Sequence, residues 1–253
     1  MPGVILSAGM IKAGSAWYFN MTNDLAMFIG WDDPRLIRST FRLKSVMTEA
    51  NVNIGKLSTP RFLLAMYPYV LFQKKYVVKS HNAPTPVVKR WLKQGKLMAT
   101  YIYRDPRDVI VSTMDHSKRV QERGVSSAFT PYNTVEKVLP LLKTNIERWR
   151  RWREMPEALL VRYEDLLQDT RGELDRLCEH LGFDVPQETR EEIVSRYTTR
   201  KSDQSNLHFN KGITGRYMQS LSTEQINMVE DSIGDALQEM GYPLTNELRE
   251  QGE

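Results

Sequence analysis

The sequence is poor in the residues that bind transition metals or form disulfides. Cys178 is the only cysteine among 253 residues, which excludes an intramolecular disulfide and a cluster of thiolate ligands. The four histidines (His81, His116, His180 and His208) lack the HExxH spacing of a zinc metalloprotease. We therefore expect no metal site.

The chain also lacks long apolar runs and a strong excess of one charge. No run approaches the roughly 20 apolar residues that cross a bilayer, and the N-terminus has neither the basic segment nor the apolar core of a signal peptide. These absences predict a cytoplasmic protein without a transmembrane segment. The net charge of +4 is too small to indicate nucleic-acid binding, although it fits a few basic residues gathered at an anionic ligand.

Short apolar runs alternate with helical patterns along the chain. The predicted strands cover residues 3–7, 75–79, 97–103 and 158–162, and the predicted helices cover 14–28, 87–93, 106 onward, 135–153, 163–181, 187–196 and 223–240, with an irregular loop over 120–132. The fourfold alternation predicts a single three-layer α/β domain over residues 1–253, in which helices flank a central parallel sheet. Ligands of such sheets bind at the carboxyl ends of the strands.

The segment MATYIYRDPRDVIVS, residues 98–112, places an arginine where a strand meets a helix. Pro106 suits the first turn of that helix, so Arg104 lies at the end of the strand and Ser112 about two turns into the helix. An arginine and a hydroxyl at such a junction are typical of phosphate binding. The alternative is an ion pair between Arg104 and Asp105 or Asp108.

The loop after the first strand carries two glycines five residues apart, Gly9 and Gly14. This P-loop-like spacing is similar to the Walker A pattern, but Ser15 occupies the lysine position and Ala16 the position of the Mg²⁺-binding hydroxyl. The lysine, Lys12, lies inside the loop instead. Backbone N–H groups of such a loop can still wrap a phosphate, and the alternative is an ordinary glycine-containing turn.

The second strand ends in Lys79, Ser80 and His81. A histidine there faces the same cleft as Lys12 and Arg104, and its ordinary pKa lets it accept a proton near neutral pH. A lone histidine after a strand is more often structural, but this placement favours a catalytic base.

The cluster of tryptophans and arginines at residues 149–153 could suggest single-stranded nucleic acid. Trp149 and Trp152 instead share a helix face with Leu142 and Asn145. We therefore expect core packing, with solvated arginines on the opposite face, and no nucleic-acid partner.

Together these segments resemble the cytosolic-type sulfotransferases that use 3′-phosphoadenosine 5′-phosphosulfate (PAPS). The family's first loop, approximately PKSGTTW, corresponds to IKAGSAW at 11–17, and its RNPxDxxxS motif corresponds to RDPRDVIVS at 104–112. The family's KTH, YED-L and RKGxxG segments appear as KSH at 79–81, YEDL at 163–166 and NKGITG at 210–215. All five segments occur in the family's order.

The resemblance implies a role for each matched residue. The implied donor-binding residues are Lys12, Ala13, Gly14, Ser15, Ala16 and Trp17 of the first loop, Arg104 and Ser112 for the 3′-phosphate, Tyr163 beside the adenine, and Lys211 and Gly212 of the late segment. The implied catalytic residues are His81 as the base, Lys12 and Lys79 as neutralising charges, and Ser112. Adenosine 3′,5′-bisphosphate (PAP) would be the product, and no metal is required.

Three positions depart from the family's pattern. Ala16 lacks a hydroxyl, Ala13 replaces a serine, and Asn210 replaces an arginine, which implies fewer side-chain contacts with the donor phosphates. The resemblance implies in-line transfer of a sulfuryl group to the hydroxyl, or alternatively the amine, of a small-molecule acceptor. The rival hypotheses are a P-loop nucleotide kinase and a non-catalytic nucleotide-binding protein. Neither the acceptor nor the oligomeric state follows from the sequence.

Overall fold

Four parallel strands form the central sheet. The computed structural model describes residues 2–49, 51–124, 127–199 and 213–250. The strands, which are β1 (Val4–Gly9), β2 (Tyr76–Ser80), β3 (Leu97–Tyr103) and β4 (Ala158–Arg162), lie in the order β2-β1-β3-β4. Each neighbouring pair is parallel. The α/β fold with a parallel sheet, predicted from the alternating pattern, is confirmed.

Helices alternate with these strands along the chain. They are α1 (Ser15–Phe28), α2 (Pro34–Thr40), α3 (Thr59–Phe72), α4 (Pro86–Lys93), α5 (Pro106–Glu122), α6 (Val135–Arg153), α7 (Tyr163–Gln168), α8 (Thr170–Leu181), α9 (Gln187–Thr199), α10 (Tyr217–Ser220), α11 (Thr223–Glu239) and α12 (Thr245–Glu250). A short 3-10 turn covers Leu43–Ser45. Among the described residues, no helix is long and apolar enough to span a membrane.

Several predicted bounds differ from the structure, such as those of β1 (predicted 3–7, observed Val4–Gly9) and α9 (predicted 187–196, observed Gln187–Thr199), and two further differences have clear local reasons. The predicted loop over 120–132 begins too early, because α5 continues to Glu122 and buries Val120. The predicted helix over 163–181 is broken at Asp169, whose backbone is not helical (φ −132°, ψ 72°). The Asp169 carboxylate instead caps α8 by accepting a hydrogen bond from the N–H of Gly172 at 2.8 Å.

The chain forms two compact units. The first comprises residues 1–103 and 148–203, and the second comprises residues 104–147 and 204–253. The first contains the whole sheet, and every residue of β1 and β2 is buried. The second has its own core between α5, α10 and α11, which includes Val109, Tyr217 and Val229. A single domain over the whole chain therefore stays a prediction.

Candidate functional site

The loop that follows β1 is held in a conformation suited to anion binding. The N–H of Met10 donates to the carbonyl of Ile102 at 2.8 Å, which fixes the start of the loop on β3. Lys12 and Gly14 adopt left-handed backbone angles, with φ of 66° and 76°. Gly14 caps α1 without a side chain, and the first turn of α1 carries no acidic residue. The N–H groups at such a helix start attract anions.

Tyr163 packs directly against this loop. A Cβ added at Gly14 would lie 2.7 Å from the Tyr163 ring, so both the left-handed backbone and the neighbouring ring require glycine. Tyr163 begins α7 immediately after β4, and its ring meets Trp17 edge to face at 6.2 Å. Two segments far apart in the sequence, the first loop and YEDL, are thus brought together within the first unit.

His81 lies at the carboxyl end of β2, bonded to the start of the same loop. Its Nδ1 is 2.7 Å from the carbonyl oxygen of Gly9. Because a carbonyl oxygen only accepts hydrogen bonds, Nδ1 carries the proton and Nε2 of the neutral ring keeps a free lone pair. The geometry therefore holds His81 in the tautomer in which Nε2 can act as a base.

The charges that act on His81 are mostly positive. The pKa of His81 is lowered to about 3, mainly by burial and next by the charge of Lys79, with smaller contributions from Arg148 and Lys12; the hydrogen bond to Gly9 acts in the opposite direction. Lys79 is itself 4% exposed, and burial lowers its pKa to about 8. Arg148 on α6 belongs to none of the sequence motifs, and only the fold reveals its influence on His81.

In the second unit, Arg104 makes the ion pair that was the alternative to phosphate binding. Its Nη2 lies 2.9 Å from Oδ2 of Asp108 and also donates to the carbonyl of Ile213 at 2.7 Å. Asp108 further accepts hydrogen bonds from the N–H groups of Gly215 and Tyr217 at 2.9 and 3.1 Å. The pair thus anchors the end of the late NKGITG segment beside Arg104.

The other predicted residues of the second unit are only partly described. Ser112 lies on α5 and is 2% exposed. Lys211 and Gly212 lie outside the described residues. Ile213, which follows them, is the nearest described residue of that segment.

Sequence reasoning missed a buried charge network built on Arg107. The guanidinium, 1% exposed, bonds Asp105 at 2.8 Å and Glu230 at 2.6 Å and lies 4.2 Å from the centre of the Tyr217 ring. Thr245 also donates to Glu230 at 2.6 Å. Because Glu230 is 123 residues from Arg107, no local pattern could have indicated this network.

The aromatic and histidine residues outside the motifs pack as structural groups. Trp149 and Trp152 are buried, and Trp152 Nε1 donates to the carbonyl of Asn82 at 2.9 Å, which confirms core packing. Nε2 of His180 lies 3.0 Å from the carbonyl oxygen of Ala99. His116 meets the Phe129 ring edge to face at 5.0 Å.

Comparison with known proteins identifies relatives of this chain. Residues 8–241 match the family model described as a sulfotransferase domain. Sulfotransferase 2B1 of Mus musculus is 26% identical over 192 residues, which covers 73% of this chain and 51% of that protein. The amine sulfotransferase of Oryctolagus cuniculus is 26% identical over 153 residues, covering 58% of this chain and 45% of that protein. The chain spans about half the length of the curated relatives it matches.

Solved structures share the fold at low sequence identity. Mouse sulfotransferase SULT7A1 complexed with PAP matches with a TM-score of 0.62 and 16% identity, covering 93% of this chain and 84% of that chain. Retinol dehydratase in a complex with retinol and PAP matches with a TM-score of 0.64 and 18% identity, covering 93% of this chain and 81% of that chain.

Proposed function

The chain belongs to the sulfotransferase-domain family, and we propose that it transfers a sulfuryl group from PAPS to the hydroxyl of a small-molecule acceptor. The observation that carries the proposal is the attachment of His81 to the first loop. The 2.7 Å contact between its Nδ1 and Gly9 places an oriented base at the root of the loop that contains Lys12. A base beside an anion-binding loop is what transfer to a hydroxyl group requires.

The residues of the first unit fit the 5′ end of such a donor. Lys12 supplies charge, and residues 14–16 at the start of α1 supply N–H groups without a competing acidic side chain. The Trp17 and Tyr163 rings, 6.2 Å apart, offer apolar surface for an adenine. Two relatives of the same fold were solved with PAP, which supports this choice of donor.

The proposal assigns the 3′-phosphate to Arg104 and Ser112 of the second unit. Arg104 is buried and already bonded to Asp108, so it is held in one orientation before a ligand binds. A fixed guanidinium fork suits bidentate phosphate binding. Lys211 and Gly212 are assigned to the same phosphate by the resemblance alone.

The mechanism follows from the charges and the tautomer. The bound donor supplies the sulfuryl group and a phosphate leaving group. His81 Nε2 accepts the proton of the acceptor hydroxyl, and Gly9 keeps the ring oriented through Nδ1. Lys12 offsets the negative charge that develops on the departing phosphate, and Lys79 adds positive charge beside His81.

A nucleotide kinase is less well supported. Ser15 and Ala16 replace the lysine and hydroxyl with which a Walker A loop holds Mg²⁺ and the terminal phosphates of ATP. The acceptor is proposed as a small molecule with a hydroxyl or, alternatively, an amine, since relatives include both a 3-alpha-hydroxysteroid sulfotransferase and an amine sulfotransferase. The cytoplasmic location also stays a prediction.

Isothermal titration calorimetry with PAP and with ATP·Mg²⁺ tests the choice of donor. We expect PAP to bind and to raise the melting temperature by mass action, with ATP·Mg²⁺ binding much more weakly. Substituting Arg104→Met should weaken the binding of PAP more than the binding of adenosine 5′-monophosphate, which lacks the 3′-phosphate. Preference for ATP·Mg²⁺ over PAP would contradict the proposal and favour the kinase.

A further inference from the structure

The end of α6 lies against the carboxyl end of β2. Trp152 is buried, and its Nε1 donates to the carbonyl of Asn82 at 2.9 Å. Its indole also stacks on the Tyr101 ring of β3, with the ring centres 5.8 Å apart and the planes inclined by 23°. Because Asn82 directly follows His81, these contacts place the last turns of α6 next to the proposed base.

Arg148 lies on the same side of α6. It precedes Trp152 by four residues, or about one helical turn, so the two side chains are neighbours on one face. The half-buried Arg148 lowers the pKa of His81 and also opposes the rise in the pKa of Tyr101 that burial causes. Tyr101 shares a row of the sheet with Ser80, which directly precedes His81. A charge that acts on both groups therefore lies at this end of the sheet.

The segments that surround His81 carry positive charge and no carboxylate. Lys12 and Lys79 lower the pKa of His81 together with Arg148. Neither aspartate nor glutamate occurs in β1 and its loop, in β2, in β3 or in the end of α6 from Arg148 onward. An anion that binds beside His81 would therefore be attracted by three cations, without repulsion from a carboxylate of these segments.

The donor accounts for only part of this positive charge. Under the proposed function, Lys12 offsets charge on the departing phosphate, and Lys79 adds charge beside His81. Arg148 belongs to none of the segments assigned to the donor. Its guanidinium has the planar fork that binds an oxyanion through two parallel hydrogen bonds. The arrangement thus suits an anionic group on the second substrate, the acceptor.

We propose that the acceptor carries a carboxylate in addition to the hydroxyl that receives the sulfuryl group, and that Arg148 binds this carboxylate beside His81. The inference rests on the proposed sulfuryl transfer and narrows its acceptor to an anionic compound. A protonated amine fits less well, because it would approach three positive charges. In the reaction, Nε2 of His81 takes the hydroxyl proton, the acceptor oxygen bonds to sulfur, and the bond from sulfur to the donor phosphate breaks. The carboxylate stays intact.

Three phenols of similar length that differ in charge test the class of acceptor. 4-Hydroxyphenylacetate is anionic, 4-hydroxyphenylacetamide is its neutral analogue, and tyramine is cationic at neutral pH. With labelled PAPS and the full chain, we expect kcat/KM for the anion to exceed that for the amide by about 10- to 100-fold, with tyramine the poorest acceptor. For a phenol that is not turned over, calorimetry on the PAP-saturated protein gives the same comparison, in which the anion should bind most tightly.

Substitutions on α6 test the role of Arg148. Arg148→Met should reduce the preference for the anion over the amide to about threefold or less, whereas Arg148→Lys, which keeps the charge but not the fork, should retain part of it. The matched control is Arg151→Met, which removes an exposed arginine of the same helix and should keep the full preference. The melting temperature shows that each variant is folded. A variant that is only less stable lowers both rates and leaves their ratio unchanged.

Several results would overturn the inference while PAP binding still supports the proposed function. One is a kcat/KM for the amide or tyramine that equals or exceeds that for the anion, and another is the absence of binding of all three phenols to the PAP-saturated protein. An unchanged preference for the anion in Arg148→Met would exclude Arg148 as its ligand, and if that variant also lost affinity for PAP, Arg148 would be assigned to the donor. Failure of the unsubstituted chain to bind PAP would contradict the proposed function itself, and this inference with it.

Discussion

The two units of this chain use positive charge in opposite ways. In the first unit, Lys79, Arg148 and Lys12 all disfavour the protonated form of His81. In the second unit, Arg104 and Arg107 are bonded to the carboxylates of Asp108, Asp105 and Glu230. In the first arrangement, positive charges surround a base, and a bound anion would reduce their mutual repulsion. In the second, carboxylates of the protein itself neutralise the guanidinium charges, and these ion pairs hold the backbone in place.

This difference separates two kinds of motif residue. Lys79 and His81 keep lowered pKa values, as is common in sites that act on a ligand. Asp108, in contrast, accepts hydrogen bonds from two backbone N–H groups and one guanidinium. The second aspartate of RDPRD therefore holds the late segment in place. A motif match alone does not distinguish a residue that acts on a ligand from one that supports the fold.

Removing the base should have the largest effect. We expect His81→Ala to lower kcat by about 10²- to 10⁴-fold, because no base then takes the proton from the hydroxyl of the substrate. The affinity for PAP, measured by calorimetry, should stay nearly unchanged. Turnover is measured separately with labelled PAPS. The matched variant His180→Ala removes a histidine of the same unit and should retain turnover. If His81→Ala turned over as fast as the unsubstituted protein, His81 would be excluded from the mechanism.

Breaking the balanced network should cost stability. Asp108→Ala leaves the Arg104 guanidinium and the N–H groups of Gly215 and Tyr217 without a buried acceptor, and should lower the free energy of unfolding by about 3–5 kcal/mol. Urea denaturation measures this loss. Asp115→Ala breaks the more exposed pair with Arg216 and should cost no more than about 1 kcal/mol. Similar losses for both variants would contradict the special role of Asp108.

Replacing the buried lysine should have a smaller, opposite effect. Lys79→Met removes a charge that burial disfavours and should raise the free energy of unfolding near neutral pH by about 1–2 kcal/mol, while lowering kcat. The pKa of Lys79 falls from 10.5 to about 8 on folding. Between these two pH values, the unfolded chain therefore binds more protons than the folded chain. The contribution of Lys79 to stability therefore rises with pH across that window. A variant less stable than the parent would contradict this account.

The parts of the fold that the sequence predicts are those fixed by local chemistry. β3 and β4 match their predicted bounds because short apolar runs are flanked by charged or helix-starting residues. Gly182 ends α8 in the left-handed conformation that glycine adopts readily at a helix end, with φ of 63°. The break at Asp169 was missed because its capping carboxylate lies inside an otherwise helical pattern.

The parts of the site that the sequence does not predict depend on distant contacts. The family resemblance gives the identities of His81 and Tyr163, but not the bond from His81 to Gly9 or the packing of Tyr163 on Gly14. The bond from His81 to Gly9 follows from strand order, which places β2 beside β1 although the two residues are 72 positions apart. The packing of Tyr163 on Gly14 does not follow from strand order, because β3 lies between β1 and β4. The influence of Arg148 on His81 also depends on a distant contact, since one arginine of an arginine-rich helix carries no sequence signal of its own.

The most direct test of the site is the pKa of His81, measured by NMR titration of its imidazole with and without saturating PAP. His81→Ala assigns the signal. Without ligand we expect a pKa well below that of an ordinary histidine, about 3. Bound phosphate groups would stabilise the imidazolium against Lys79, Arg148 and Lys12, so PAP should raise this pKa. A pKa that stays unchanged or falls at saturating PAP would contradict the binding of an anionic donor beside this base.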